Sequence, residues 1–156
     1  MNLGTDLHIR QIKEIEETPM ALLTLADPSE QQVQSYLAKS DCYVAEIEGE
    51  TVGVYVAGEI SKDTIEIYNI AVKETFQGQG IGKYLLMDGV DRYRRAGYKM
   101  IEIGTGNSSI GQLALYQKVG FRMDRVIPDF FTDNYETHIY ENGIWCRDMI
   151  RLKCQL

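Results

Sequence analysis

The run Gln77-Gly78-Gln79-Gly80-Ile81-Gly82-Lys83 sets three glycines at alternate positions and follows them with a lysine. It lies between a stretch rich in β-branched residues that ends near Val72 and a helix-like stretch that starts near Gly82 or Lys83. A helix start leaves backbone N–H groups unpaired and carries the positive end of the helix dipole. Glycine lacks the Cβ that keeps a ligand off the backbone. Together these features suit an anion, and a phosphate above all. A single glycine would read as an ordinary strand-to-helix loop, whereas alternation of this kind argues for an anion cradle.

Two common phosphate loops do not fit. A P-loop takes G-x-x-x-x-G-K-[ST]. Gly82 and Lys83 supply its end, but Gln77 stands at the first glycine and Tyr84 at the magnesium-holding hydroxyl. A dinucleotide fingerprint takes G-x-G-x-x-G. Counted from Gly78 it ends on Lys83, and counted from Gly80 it ends on Leu85. The pattern that remains is Q-x-x-G-x-G, formed by Gln77, Gly80 and Gly82.

The elements that must position this loop follow from periodicity. Leu7 and Ile9 alternate in "LHIRQIKEI" and predict a first strand. Pro28 and Ser29 mark a helix start, Ser29 and Gln32 form a capping-box pattern, and Val33 and Leu37 face the core. "CYVAEIEGETVGVYVAGEI" reads as a hairpin turning at Gly49-Glu50, and "TIEIYNIAV" as a further strand. "GKYLLMDGVDRYRRAG" is a helix with Leu86, Val90 and Tyr93 on one stripe, closed by Gly97. "KMIEIGTG" is a strand, "SSIGQLALYQKVG" a helix closed by Gly120, and "FRMDRV" and "IWCRDMIRLK" are closing strands. This order predicts an α/β protein of the α+β kind. Its sheet is mixed, mostly antiparallel and flanked by helices, and is not doubly wound.

With its neighbours, the loop resembles that of the GCN5-related N-acetyltransferases, which bind acetyl-coenzyme A. "NIAV" before the loop is similar to that family's central strand, and "LALYQKVGF", Leu113 to Phe121, to its second signature. The likeness runs from about Ile65 to Phe121 and implies one N-acetyltransferase domain over 1–156, with central strands that splay apart. It implies that the N–H groups of Gly78, Gln79, Gly80, Ile81, Gly82 and Lys83 hold the pyrophosphate, with Gln77 shaping the loop. Ile70, Ala71 and Val72 would present backbone groups to the pantetheine arm, almost as an added strand. Tyr116 falls on the position of the acid that protonates the departing thiolate, and would touch the coenzyme there. A phenol with a reference pKa of about 10 suits that task. Two carboxylates match base positions in different branches of the family, Glu66 in "EIYNIAV" and Glu102 in "IEIGTG". Desolvation within an apolar strand would raise either one. Each also alternates with isoleucines, as an outward residue of a half-exposed strand would. The family often has an asparagine seven residues before the tyrosine. Here Ser109 stands there, and a longer loop would have to deliver Asn107 to the arm, with Ser108 or Ser109 capping the helix.

Composition bounds the rest. The chain has 156 residues, net charge −7 and three cysteines, Cys42, Cys146 and Cys154. The acidic balance argues against a nucleic-acid partner. It reads either as solubility or as attraction for a cationic substrate. No apolar run approaches the ~20 residues that span a bilayer, and the N-terminal run has no signal segment, so a cytoplasmic protein without a membrane partner is expected. The cysteines read as reduced thiols, and with His8 and His138 the only histidines, no metal-ligand spacing occurs. The expected acceptor is a small-molecule amine or a peptide. It would be bound by "LLTLADPSEQQ" and by the aromatic and acidic stretch Pro128 to Gly143. A coenzyme A-binding sensor without catalysis is the rival reading, and either form leaves a homodimer open.

Overall fold

Apolar residues alternate along β2 (Asp41–Ile47) and β3 (Glu50–Ser61), and this sorts their side chains onto two faces that each need a cover. The computed structural model, which describes residues 6–14 and 17–156, supplies a cover on both sides. Residues 1–5 of the run read for a signal segment, and Ile15 and Glu16 at the end of the first-strand stretch, lie outside the described residues. Tyr43, Ala45, Tyr55 and Ala57 join Ile81, Leu85 and Leu86 of α3 (Ile81–Arg95) in one buried cluster. Val44, Val54 and Val56 join Leu22 and Leu23 of α1 (Met20–Ala26) and Val33 and Tyr36 of α2 (Glu30–Leu37) in a second.

The remaining elements are β1 (Leu7–Gln11), β4 (Thr64–Val72), β5 (Met100–Gly106), α4 (Ile110–Val119), β6 (Arg122–Ile127), α5 (Phe130–Asn134), β7 (Ile139–Glu141), β8 (Ile144–Cys146) and β9 (Met149–Gln155). Seven strands form one sheet in the order β1-β2-β3-β4-β5-β9-β6, and β7 and β8 pair as a separate hairpin. Among the described residues every neighbouring pair is antiparallel except β4 with β5. The mixed, mostly antiparallel sheet flanked by helices is the expected one. So are the helix ends at Gly97 and Gly120, while the hairpin turns at Glu48 and Gly49, both at positive φ, one residue before the expected Gly49-Glu50. Ser29 caps α2 by accepting from the Gln32 N–H at 3.2 Å.

Helices α1 and α5, strand β7 and the break in the last strand depart from the expectation. Helix α1 carries no capping side chain at its start, and its seven residues are too few to display a period. Burial holds it, with Leu23 fully enclosed. The stretch "IWCRDMIRLK" is not one strand but β8 and β9, broken at Arg147 and Asp148. The Asn107 Oδ1 accepts both of their N–H groups, at 2.9 and 3.0 Å, and diverts them from any sheet ladder.

Helix α3 is seated on β3 at Gly53. A Cβ built there would lie 3.0 Å from Leu85 Cδ1 and 3.4 Å from the Ala71 carbonyl oxygen. Gly53→Val is therefore expected to overpack this contact and lower stability by about 1–3 kcal/mol. The check is urea denaturation: the midpoint falls while the slope holds. An unchanged midpoint would mean that the helix has room to move.

Candidate active site

The three glycines serve different ends. Gly78 and Gly80 have φ of 79° and 86°, and a Cβ at either meets nothing closer than Tyr84 at 4.0 Å. Their backbone conformation, not crowding, demands glycine. Gly82 has no positive φ, but a Cβ there would lie 3.2 Å from Leu115 Cδ2, so it lets α3 and α4 approach. Helix α3 begins at Ile81, one residue earlier than expected, with Gly80 as its left-handed N-cap. Its first helical bond runs from the Tyr84 N–H to the Gly80 carbonyl at 3.1 Å. Gln77 Nε2 donates to the Val72 carbonyl at 3.0 Å and staples the loop to the end of β4. Among the described residues, no acceptor meets the N–H groups from Gly78 to Lys83.

The strand leading into that loop is open along one edge. β4 pairs with β5 only from Thr64↔Met100 to Ile67↔Ile103, and beyond that the strands part. On its other side β4 stays paired to β3 through Val72↔Gly53. The Lys73 N–H donates to the Val52 carbonyl at 2.8 Å. Antiparallel alternation from that bond turns the backbone groups of Ala71 toward β3 and those of Ile70 and Val72 toward the open edge. Of the three residues expected to offer backbone groups, Ala71 is thus already paired.

A cleft of about 350 Å³ fills the gap between the parting strands. Ile67 of β4 and Ile103 of β5 line it, and Ser109 and Tyr116 come to it from α4. The two stretches assigned to the acceptor also enter its wall, through Asp27 of the α1–α2 connection and through Tyr135 and Glu141 near β7. Tyr116 is buried, and among the described residues no group bonds its hydroxyl. Burial pushes this phenol above its usual range, and the Glu141 charge adds to the push. Neither serine of the loop caps α4. Instead Ser109 Oγ donates to Glu141 Oε1 at 2.8 Å and Ser108 Oγ to the same oxygen at 3.4 Å, which fixes the carboxylate at the start of α4.

The Asp27 carboxylate accepts from the Tyr135 hydroxyl at 2.8 Å, the Tyr36 hydroxyl at 3.2 Å and the Ser29 N–H at 3.2 Å. Asn69 Nδ2 donates to the Tyr36 hydroxyl at 2.8 Å and to the Leu23 carbonyl at 2.9 Å. Its Oδ1 is buried without a partner among the described residues, and the residue lines the cleft. Asn69 stood in the quoted "NIAV" without a role. Its signal was a polar side chain inside an otherwise apolar strand.

Glu66, Glu102 and Asn107 are placed elsewhere. Glu66 and Glu102 lie directly opposite one another in the β4–β5 pair, outside the cleft lining. The buried Arg151 of β9 bonds Glu66 through both terminal nitrogens, at 2.9 and 3.2 Å, and Glu102 at 3.3 Å. Neither is the lone carboxylate in an apolar strand that the base reading required, because a guanidinium accompanies both. Asn107 spends its side chain on backbone: Nδ2 donates to the Trp145 carbonyl at 3.1 Å, while Oδ1 holds the N–H groups of Arg147 and Asp148. It therefore ties β5 to the β8–β9 junction and is not free for a coenzyme.

Residues 9–121 match the model of the acetyltransferase (GNAT) family. The chain is 48% identical over 150 residues to the uncharacterised N-acetyltransferase YvbK of Bacillus subtilis, covering 96% of this chain and 97% of that one. An IAA acetyltransferase from Bacillus cereus is 50% identical with a TM-score of 0.93, covering 96% and 99% of the two chains. A GNAT family acetyltransferase from Elizabethkingia anophelis with acetyl-CoA bound is 46% identical with a TM-score of 0.94, covering 97% and 99%.

The Arg151 arrangement has a measurable consequence. Arg151→Met strips Glu66 of its cation and leaves Glu102 only Arg125 at 3.7 Å, and a loss of about 3–5 kcal/mol is expected in chemical denaturation. Adding Glu66→Gln and Glu102→Gln to that variant is expected to restore part of it. A loss below about 1 kcal/mol would place the cluster with ordinary surface pairs.

Proposed function

The chain belongs to the acetyltransferase (GNAT) family, and from that premise we propose that it moves an acetyl group from acetyl-CoA to a primary amine of a small molecule or peptide. The observation that carries this reading is the run of unpaired N–H groups from Gly78 to Lys83, which adjoins the open edge of β4. The first offers a pyrophosphate site at a positive helix end. The second offers backbone partners at Ile70 and Val72 to an arm that carries amides. A free N–H on this edge also suits the oxyanion that forms when a thioester is attacked.

In the cleft, Tyr116 is the acid and Glu141 the base. Burial keeps the Tyr116 phenol protonated beyond its usual range, and no competing bond holds its proton among the described residues. Glu141, held by Ser109 and Ser108, is a carboxylate of the cleft wall, which Glu66 and Glu102 are not. It takes one proton from the acceptor ammonium, and the freed lone pair forms the C–N bond as the C–S bond breaks. The leaving thiolate receives the Tyr116 proton, and the second amine proton restores the phenol. Thiol, amide and one released proton balance the reaction.

The test is thiol release across an amine panel. Silence from every amine, with acetyl-CoA still bound, would favour the sensor reading. With an active amine in hand, Tyr116→Phe is expected to lower kcat by about a hundredfold or more while coenzyme affinity changes little. Glu141→Gln is expected to lower kcat near neutral pH and to recover as rising pH deprotonates the amine in solution. Unchanged turnover in either variant would remove that residue from the chemistry.

A further inference from the structure

We propose that the cleft takes a diamine, held at Asp27 by its unreactive ammonium and acetylated at the end beside Glu141. This rests on reading the cleft as the acceptor site. The lining includes two acids, Asp27 and Glu141, and no lysine, arginine or histidine. Among the described residues neither acid is paired with a cation. Several other carboxylates of the molecule do have a cation, and Asp63 and Asp148, which are partly buried and also lack one among the described residues, lie outside the cleft. Glu46 has Arg10 at 2.6 Å, Asp88 has Arg92 at 3.2 Å, Asp124 has Lys153 at 3.0 Å, and Glu66 and Glu102 share Arg151. In the cleft the positive charge is left for a ligand to bring.

The donors already around Asp27 are neutral. Two tyrosine hydroxyls and one backbone N–H aim its carboxylate without cancelling its charge. Asn69, 5% exposed, lines the same wall and is joined to this network through the Tyr36 hydroxyl, and its Oδ1 is buried without a partner among the described residues. An ammonium, with three donors and no acceptor, answers such a wall. Ile67, Ile103, Leu25 and Phe131 supply apolar surface along the cleft for a methylene chain. An amino-acid acceptor is disfavoured, because its carboxylate would meet like charges with no cation to receive it.

The experiment compares putrescine, butylamine and γ-aminobutyrate as acceptors for the wild type and Asp27→Asn, with acetyl-CoA stabilisation measured first. The wild type is expected to favour putrescine over butylamine by about tenfold in kcat/KM, with γ-aminobutyrate the poorest, and Asp27→Asn to bring the putrescine-to-butylamine ratio near one. Equal rates for putrescine and butylamine in the wild type would overturn the proposal, as would an unchanged ratio in the variant. If Asp27→Asn fails to fold, the wild-type ratio still decides. If acetyl-CoA does not stabilise the wild type, or no amine turns over, the acetyltransferase reading is what fails. Calorimetry of putrescine against butylamine on the wild-type protein, with coenzyme A present, then judges the diamine site alone. Preferential putrescine binding upholds it, and absence of that preference overturns it.

Discussion

A strand that loses its neighbour halfway along must find other partners for its backbone, and this constraint organises the molecule. β4 is laddered to β3 along its length but to β5 only from Thr64 to Ile67. Past Ile67 the sheet is open between two of its central strands, where an unpaired backbone group costs most if it is buried. Gln77 answers part of the demand by bonding the Val72 carbonyl. The rest is left to the cleft. Past the end of the strand, the glycine loop adds the N–H groups of the α3 start, which meet no acceptor among the described residues.

Charge divides along the same line. Where β4 and β5 are paired, the register sets Glu66 against Glu102, and the buried Arg151 from β9 compensates both. Where the strands part, Asp27 and Glu141 line the gap with neutral donors only. Carboxylates facing one another without a cation repel, so Arg151 allows the paired half to stay closed. The cleft acids have no such partner, and it is this half that the proposed diamine would enter. Side chains that look alike in sequence, acids near apolar strands, thus fall into two roles through the presence or absence of one guanidinium.

Local signals made much of this legible. The Gly49 turn, the Ser29 cap, the helix ends at Gly97 and Gly120 and the alternation in β2 and β3 are each carried by neighbouring residues. The loop was legible for the same reason, since Gly78 and Gly80 declare a backbone conformation. What escaped depends on contacts distant in sequence. Helix α1 is held by burial of Leu23, not by a cap. Arg151 lies 85 residues from Glu66, and no local pattern joins them. The Asn107 bonds that break the last strand span 40 and 41 residues. Asn69 and Arg151, polar residues inside apolar strands, were the visible signs that such partners existed.

On the proposed reading, backbone more than side chains receives the coenzyme. Amide hydrogen exchange with and without coenzyme A tests it most directly, because it reads each N–H group by itself. The amides of Ile70, Val72 and Gly78 to Lys83 are expected to slow by about tenfold or more when the ligand saturates, while Ala71, already paired to β3, changes little. Coenzyme binding that leaves those amides exchanging as before would contradict it.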